Sequence, residues 1–278
     1  MRHRIAPTFV FTVTALTVAV IVGNLLTNTS TASDYLLEWG VYGLLMALAV
    51  VLSIPLQAGK LSVGHAIGIM AFLSLPAEAF PLMTVAIALG SGLGALIEVT
   101  RSRQYQRSID RLYAFTLMVG QQTLAFYVAG RTYLLLEGML PIGAAFDTHW
   151  LQLSIFSLTY VALYLAILAI HTHFVMYVGE RIMRTNSLTI FTLMLMPIPF
   201  SFVGSVVARS DTSFTLFSVT ITGAALIIFG LYSLSRIQQR LRRQLSEKNI
   251  MVAMTDAMRG NLNLLELLQL THQEVNRM

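Results

Sequence analysis

The chain has 278 residues, of which 56% are apolar and only 11% charged, and it carries a formal net charge of +5. One water-soluble core cannot bury so much apolar surface, so the composition predicts a protein of the lipid bilayer. The absence of cysteine excludes disulfide, thiolate and cysteine-zinc chemistry. The basic residues lie in short loops between apolar segments, which indicates contact with anionic lipid and no nucleic-acid partner.

Apolar windows predict eight membrane helices, and the fold class is therefore an all-α, polytopic membrane bundle. When the N-terminus is placed inside, sixteen of the eighteen Lys and Arg residues are cytoplasmic, and only Arg131 and Arg209 fall outside. This bias is what the positive-inside rule requires, and it places both termini in the cytoplasm. The predicted spans lie near residues 6–27, 35–57, 61–75, 82–99, 112–130, 151–178, 188–208 and 213–234.

The third and fourth spans form an unusual pair. Residues 61–75 reach only about 22 Å as a helix, which is short of a hydrocarbon core of about 30 Å. Pro76 and Pro81 then interrupt the helix, so the segment between them is expected to be buried in the bundle or to line an opening. Small residues recur at a spacing of four, which predicts a tightly packed hairpin through Gly64, Gly68, Gly90 and Gly94.

Polar side chains cluster where the second span meets the third. Lys60, Ser62 and His65 follow one another closely, and Ser62 and His65 share a helix face. Because polar groups are costly in lipid, these residues are candidates for a ligand or proton site. The alternative is an interfacial loop whose neutral histidine donates to a backbone carbonyl.

Three further polar residues are candidates for ligand contact. Gln121 and Gln122 lie near the middle of the fifth span, and Glu78 lies between the two prolines, where it would line an outward-facing cavity. An amide side chain in a membrane must satisfy two donors and an acceptor, so the glutamines either contact a ligand or join helices.

Pro197 and Pro199 remove two backbone donors from the seventh span and predict a kink. His171 and His173 point about 200° apart on a helix and cannot chelate one ion together. We therefore expect no metal site and no cofactor, with haem or pigment as the less favoured alternative. No hydrolase, metalloprotease, phosphate-loop or dinucleotide signature occurs, so the chain itself is expected not to be an enzyme.

A basic, heptad-like segment continues from the eighth span. Leu234, Ile237, Leu241 and Leu245 recur at spacings of three, four and seven, which predicts a coiled-coil-like helix that pairs two copies in a parallel homodimer. The alternative is a basic helix that lies on anionic lipid.

Two parts of the chain resemble known families. The C-terminal segment resembles the entry to a GAF domain. Its parts are Met251–Met258, the turn Asn261–Leu264 and the helix Leu265–Val275. The motif Leu-Ser-x-Gly-His-Ala is followed by a short span, a proline break and a Gly-rich helix. This order resembles the bacterial integral-membrane sensor regions of the MASE type. This resemblance implies a membrane sensor that precedes a cytoplasmic output domain, in the inner membrane of a bacterium.

The sequence thus predicts a transmembrane sensor bundle over 1–234, a signalling helix over 235–258 and the start of a truncated GAF-like domain over 259–278. The expected function is the input module of a signal-transduction protein. It would relay the binding of a small apolar or amphipathic ligand, or a bilayer property, through the last membrane helix. The alternatives are the substrate-binding component of a vitamin-like transporter and an accessory subunit of a membrane complex.

Overall fold

The structure is a computed structural model that describes residues 2–27, 35–56, 59–101, 108–141, 149–174, 198–199, 202–203, 214–259 and 264–277. Over these residues the fold is all-α apart from one short antiparallel pair of strands. In chain order the elements are α1 (Arg2–Thr27), α2 (Leu36–Val51), β1 (Ile54–Leu56), β2 (Gly59–Leu61), α3 (Gly64–Ser74), a 3-10 turn (Ala77–Ala79), α4 (Phe80–Arg101), α5 (Ser108–Leu135), α6 (Trp150–Phe174), α7 (Phe214–Arg259) and α8 (Leu264–Arg277).

The chain is a membrane-associated protein. Within the described residues, three helices are long and apolar enough to cross a bilayer, namely Pro7–Leu26, Ala77–Arg101 and Trp150–Ile170. Shorter apolar helices cover Leu36–Val51, Gly64–Ser74 and Ile221–Gly230. The predicted seventh span, 188–208, lies almost wholly outside the described residues. The count of eight spans therefore stays a prediction.

The chain divides into two compact units, Met1–Phe229 and Gly230–Met278. We call the first the bundle and the second the C-terminal unit. Helix α7 contributes residues to both units. The bundle contains the six packed helices α1 to α6 and the strand pair that position the candidate site, and the C-terminal unit contains the whole of the predicted signalling helix.

The second and third predicted spans need correction at their junction. Helix α2 ends at Val51, whereas the apolar window extends the span to residue 57. The residues that follow pair as antiparallel strands, with Ile54 opposite Leu61 and Leu56 opposite Gly59. The physical reason is Pro55, which has no N–H to donate and cannot continue a helix at this position. The short third span is correspondingly shorter, at 11 residues.

Contacts between helices define their directions. In α2 and α4 the close approaches join Gly43 to Gly90 and Ala47 to Gly94, so both numbers rise together and the helices run parallel. Helix α5 runs antiparallel to α4, because Gly130 approaches Phe80 whereas Gly92 faces Val119. The remaining contacts make α1 and α3 parallel to α5, and α6 antiparallel to it.

Helix α3 lies inside the bundle, and every one of its residues is buried. Its second half is held by aromatic rings. Phe72 stacks on Phe156 of α6 at a centroid distance of 4.6 Å and meets the edge of Tyr133 of α5 at 5.3 Å. Aromatic pairs of this kind contribute about 0.5–1.5 kcal/mol each beyond the area that they bury. A helix too short to span the bilayer is thus enclosed by protein on all sides.

The glycines of the third and fourth spans pack closely, but they do not pack against each other. A side chain at Gly64 would meet Met46 and Gln122, and one at Gly68 would meet Tyr160 and Phe126. The glycines of α4 instead face α2: Gly90 abuts the backbone of Gly43, and Gly94 abuts Ala47 and Val50. The hairpin prediction was wrong about the partners, because spacing identifies a small-residue face without saying which helix covers it.

Candidate functional site

The start of α3 is fastened to the end of α2 by Ser62. The Ser62 hydroxyl donates to the carbonyl oxygen of Ala49 at 3.1 Å and accepts from the backbone N–H of Gly64 at 3.0 Å. The second bond satisfies one of the N–H groups that every helix leaves open at its first turn. Ser62 therefore has a local structural role, and it fixes the position of the histidine that follows.

His65 is completely buried and lies beside two tyrosines of α6. The ring centroids of His65 and Tyr160 are 6.5 Å apart, and those of His65 and Tyr164 are 6.3 Å apart. The imidazole is thus enclosed between the first turn of α3 and the middle of α6.

The two glutamines of α5 complete the group. Gln121 donates its Nε2 to the carbonyl oxygen of Tyr164 at 2.9 Å, and the Tyr160 hydroxyl donates to Oε1 of Gln122 at 3.2 Å. Both bonds cross from α5 to α6, which is the helix-joining use of a membrane glutamine. In membranes such bonds contribute about 0.6 kcal/mol each on average.

We call Ser62, His65, Gln121, Gln122, Tyr160 and Tyr164 the polar cluster. All six side chains are buried, and they come from α5, α6 and the start of α3. The cluster offers hydroxyl, amide and imidazole groups but includes no carboxylate, ammonium or guanidinium. Hydrogen bonds and ring contacts join its members, and side chains of α5 and α6 approach α3 closely at Gly64 and Gly68.

The other ligand candidates lie elsewhere. Glu78 is exposed in the 3-10 turn beyond the far end of α3. The 11 residues of α3 separate the two ends by about 16 Å at 1.5 Å per residue. Lys60 belongs to β2, but its side chain is outside the described part of the structure. The structure therefore groups four of the six predicted ligand-contact candidates and separates Glu78 from them.

Sequence reasoning missed the two tyrosines. Phe156, Tyr160 and Tyr164 recur every four residues in α6 and are all buried, so they form one stripe that faces α3 and α5. This spacing was visible in the sequence. It predicts a shared helix face, although the residue that the face meets follows only from the packing.

Several predicted features lie at or beyond the limits of the described residues. Pro197 is outside them, and Pro199 is an exposed residue of a two-residue described segment, so the kink stays a prediction. His171 and His173 lie in the last turn of α6, and their side chains are not described. Within the described part of the chain, no group of three His, Cys, Asp or Glu side chains could hold a metal ion.

The predicted relay residues all lie in α7. Ile237, Leu241 and Leu245 are exposed, and Leu241 and Leu245 border a surface groove together with Gln244, Glu247, Lys248 and Met251. Leu234 belongs to the same helix. Exposed leucines one turn apart on a polar helix are the pattern that a paired helix covers, but the pairing itself stays a prediction.

Comparison with known proteins yields no matching family model, no matching curated protein and no matching solved structure. The resemblances to MASE-type sensor regions and to the GAF entry therefore stay predictions that depend on the quoted residues.

Proposed function

We propose that this chain is the membrane-embedded input module of a bacterial signal-transduction protein, and that α7 relays the state of the bundle to a cytoplasmic output domain. The observation that supports the proposal is the extent of α7. One helix of 46 residues contains the apolar segment Ile221–Gly230 and continues to Arg259 through a polar, basic sequence. At 1.5 Å per residue its length is about 69 Å, roughly twice the thickness of a hydrocarbon core.

The relay requires two copies of α7 to pair through the seam of Ile237, Leu241 and Leu245. Each of these side chains is at least half exposed in the single chain, so pairing would remove apolar surface from water. The spacing of the seam is an imperfect heptad, which permits a change of register between two arrangements. Helix α8 then corresponds to the entry helix of a GAF-like domain.

The proposed topology has eight spans, with both termini in the cytoplasm of a bacterial inner membrane. The helix directions support it. An alternating topology requires α1, α3 and α5 to share one direction and α2, α4 and α6 to share the other. The contacts that fix the directions of α1 to α6 agree with this alternation.

The stimulus that fits the bundle best is a property of the bilayer. The two glutamines of the polar cluster already have hydrogen-bond partners in α6, which supports a role in joining helices. Helix α3 is shorter than the bilayer and is tied to α2, α5 and α6, so a change in thickness or lateral pressure would shift these helices against it. Such a shift can signal only if the change in the bilayer alters the free-energy difference between the two arrangements of the helices.

Helix-phase insertion tests the relay without knowledge of the stimulus. The chain is fused after Met278 to a cyclase domain that is active only as a dimer, and one to seven alanines are inserted after Lys248. Each alanine rotates the output by about 100°, so activity should rise and fall with insertion length and recover at seven residues. Identical insertions in a flexible linker after Met278 are the control and should leave activity constant. Activity that is independent of insertion length in α7 contradicts the proposal.

A further inference from the structure

The end of α5 opposite the basic loop presents one arginine on an aromatic support. The guanidinium carbon of Arg131 lies 5.3 Å from the ring centroid of Tyr127 and 5.7 Å from that of Phe80. The two rings stack with an interplanar angle of 12° at 6.0 Å. Cation–π contacts of this kind hold a guanidinium over a ring face, so the position of Arg131 is defined although its side chain is exposed.

The support is rigid because Phe80 is buried. Its ring also contacts Phe72 at 5.4 Å and Phe126 at 5.6 Å. Gly130 makes room for it, since a side chain at this position would collide with the Phe80 ring. The residue before Arg131 thus has to be glycine for the ring to lie beside the guanidinium.

Arg131 lies on a face of α5 that is otherwise apolar and exposed. Val128 and Leu135, three residues before it and four after it, are 41% and 82% exposed. The inference rests here on the eight-span topology proposed above, in which α5 crosses the bilayer and these side chains face lipid, so that the guanidinium lies among lipid-facing residues close to the end of the helix. An ionised arginine in that position is costly unless it reaches a headgroup.

The N–H donors of the Arg131 guanidinium determine which atoms of a lipid headgroup it can bind. The guanidinium carries five N–H donors in one plane, and planar donors of this kind suit the two oxygens of a phosphate.

We propose that Arg131, supported by Tyr127 and Phe80, binds the phosphate of one anionic phospholipid in the leaflet at the C-terminal end of α5. The support of the site joins α4 and α5, because Phe80 begins α4 and the two other residues belong to α5. The site thus links a specific lipid to the two helices that organise the bundle.

Native mass spectrometry of the 278-residue chain, released from nanodiscs of equal phosphatidylglycerol and phosphatidylcholine, tests the site. Wild type should retain one phosphatidylglycerol that Arg131→Gln loses, with affinity about tenfold lower, as expected for charge-assisted hydrogen bonds. Arg277→Gln, which makes the same charge change in exposed α8, should retain the lipid. Arg131→Lys keeps the charge but not the planar donors and should give an intermediate loss. Tyr127→Leu removes one ring without changing the charge and should also weaken retention.

Three results would overturn the site. The first is equal retention of phosphatidylglycerol by wild type and Arg131→Gln when both variants elute as folded protein. The second is an equal loss in Arg277→Gln, which would indicate a general charge effect. The third is displacement of the retained lipid by inorganic phosphate at low micromolar concentration, which would assign the guanidinium to a soluble anion.

Discussion

The close approach of α2 and α4 predicts opposite effects of alanine at two glycines of the same helix. Gly90 and Gly92 both lie in the middle of α4. A Cβ at Gly90 would overlap the backbone carbonyl of Gly43, whereas a Cβ at Gly92 would meet only Cγ2 of Val119 at 3.9 Å, an ordinary contact. Gly90→Ala is therefore the perturbation and Gly92→Ala is its matched control.

The expected change in the free energy of unfolding depends on which atoms have to move. The Gly90→Ala clash involves backbone, so no side chain can rotate away and the two helices must separate by on the order of 1 Å. Overpacking of this kind costs about 1–3 kcal/mol, and the upper end applies where backbone must shift. Alanine also gains about 1 kcal/mol of helix propensity over glycine. The net expectation is a loss of about 2 kcal/mol for Gly90→Ala and a gain of up to about 1 kcal/mol for Gly92→Ala.

The assay is reversible unfolding in mixtures of a mild detergent and sodium dodecyl sulfate, followed by circular dichroism. The free energy of unfolding of each variant is compared with that of wild type at one temperature. A Gly90→Ala variant that is as stable as Gly92→Ala would refute the parallel contact of α2 and α4, because both substitutions add the same methyl group to the same helix.

Three further substitutions test individual contacts by the same unfolding assay. Ser62→Ala removes both bonds of the hydroxyl, to the Ala49 carbonyl and from the Gly64 N–H, and should lower the free energy of unfolding by about 1–3 kcal/mol; no loss would contradict the role of Ser62 in fastening α3 to α2. Tyr160→Phe removes the donor to Gln122 and should cost about 0.6 kcal/mol, with an upper limit near 1.7 kcal/mol; a larger loss would show that the hydroxyl has another role. Gly223→Ala in α7 meets nothing within 4 Å and should stabilise the helix by up to about 1 kcal/mol, so destabilisation would reveal an unrecognised contact.

The parts of the fold that depend on composition and on proline follow well from the sequence. The short third span and its end before Pro76 were predictable, because an apolar segment and a missing N–H are local properties. The strand pair around Pro55 was not predicted. Ile54 and Leu56 are as apolar as the residues of a helix, and Pro55 was a local sign that the helix stops early.

The polar cluster shows where sequence reasoning reaches its limit. Polarity in an apolar segment was enough to select His65, Gln121 and Gln122, since such residues are rare in membrane helices. The partners, Tyr160 and Tyr164, depend on which face of α6 meets α3, and that choice is made by packing between distant segments. The same limit explains the wrong partners predicted for the glycines.

Cysteine crosslinking in native membranes tests the proposed relay most directly. The chain has no cysteine of its own, so single substitutions report one position each. Leu241→Cys and Leu245→Cys lie on the proposed seam, and Ser246→Cys lies about 140° around the helix from Leu241. The account predicts efficient disulfide-linked dimers at Leu241 and Leu245 and little product at Ser246. Equal crosslinking at all three positions, or none at any, would contradict a paired signalling helix.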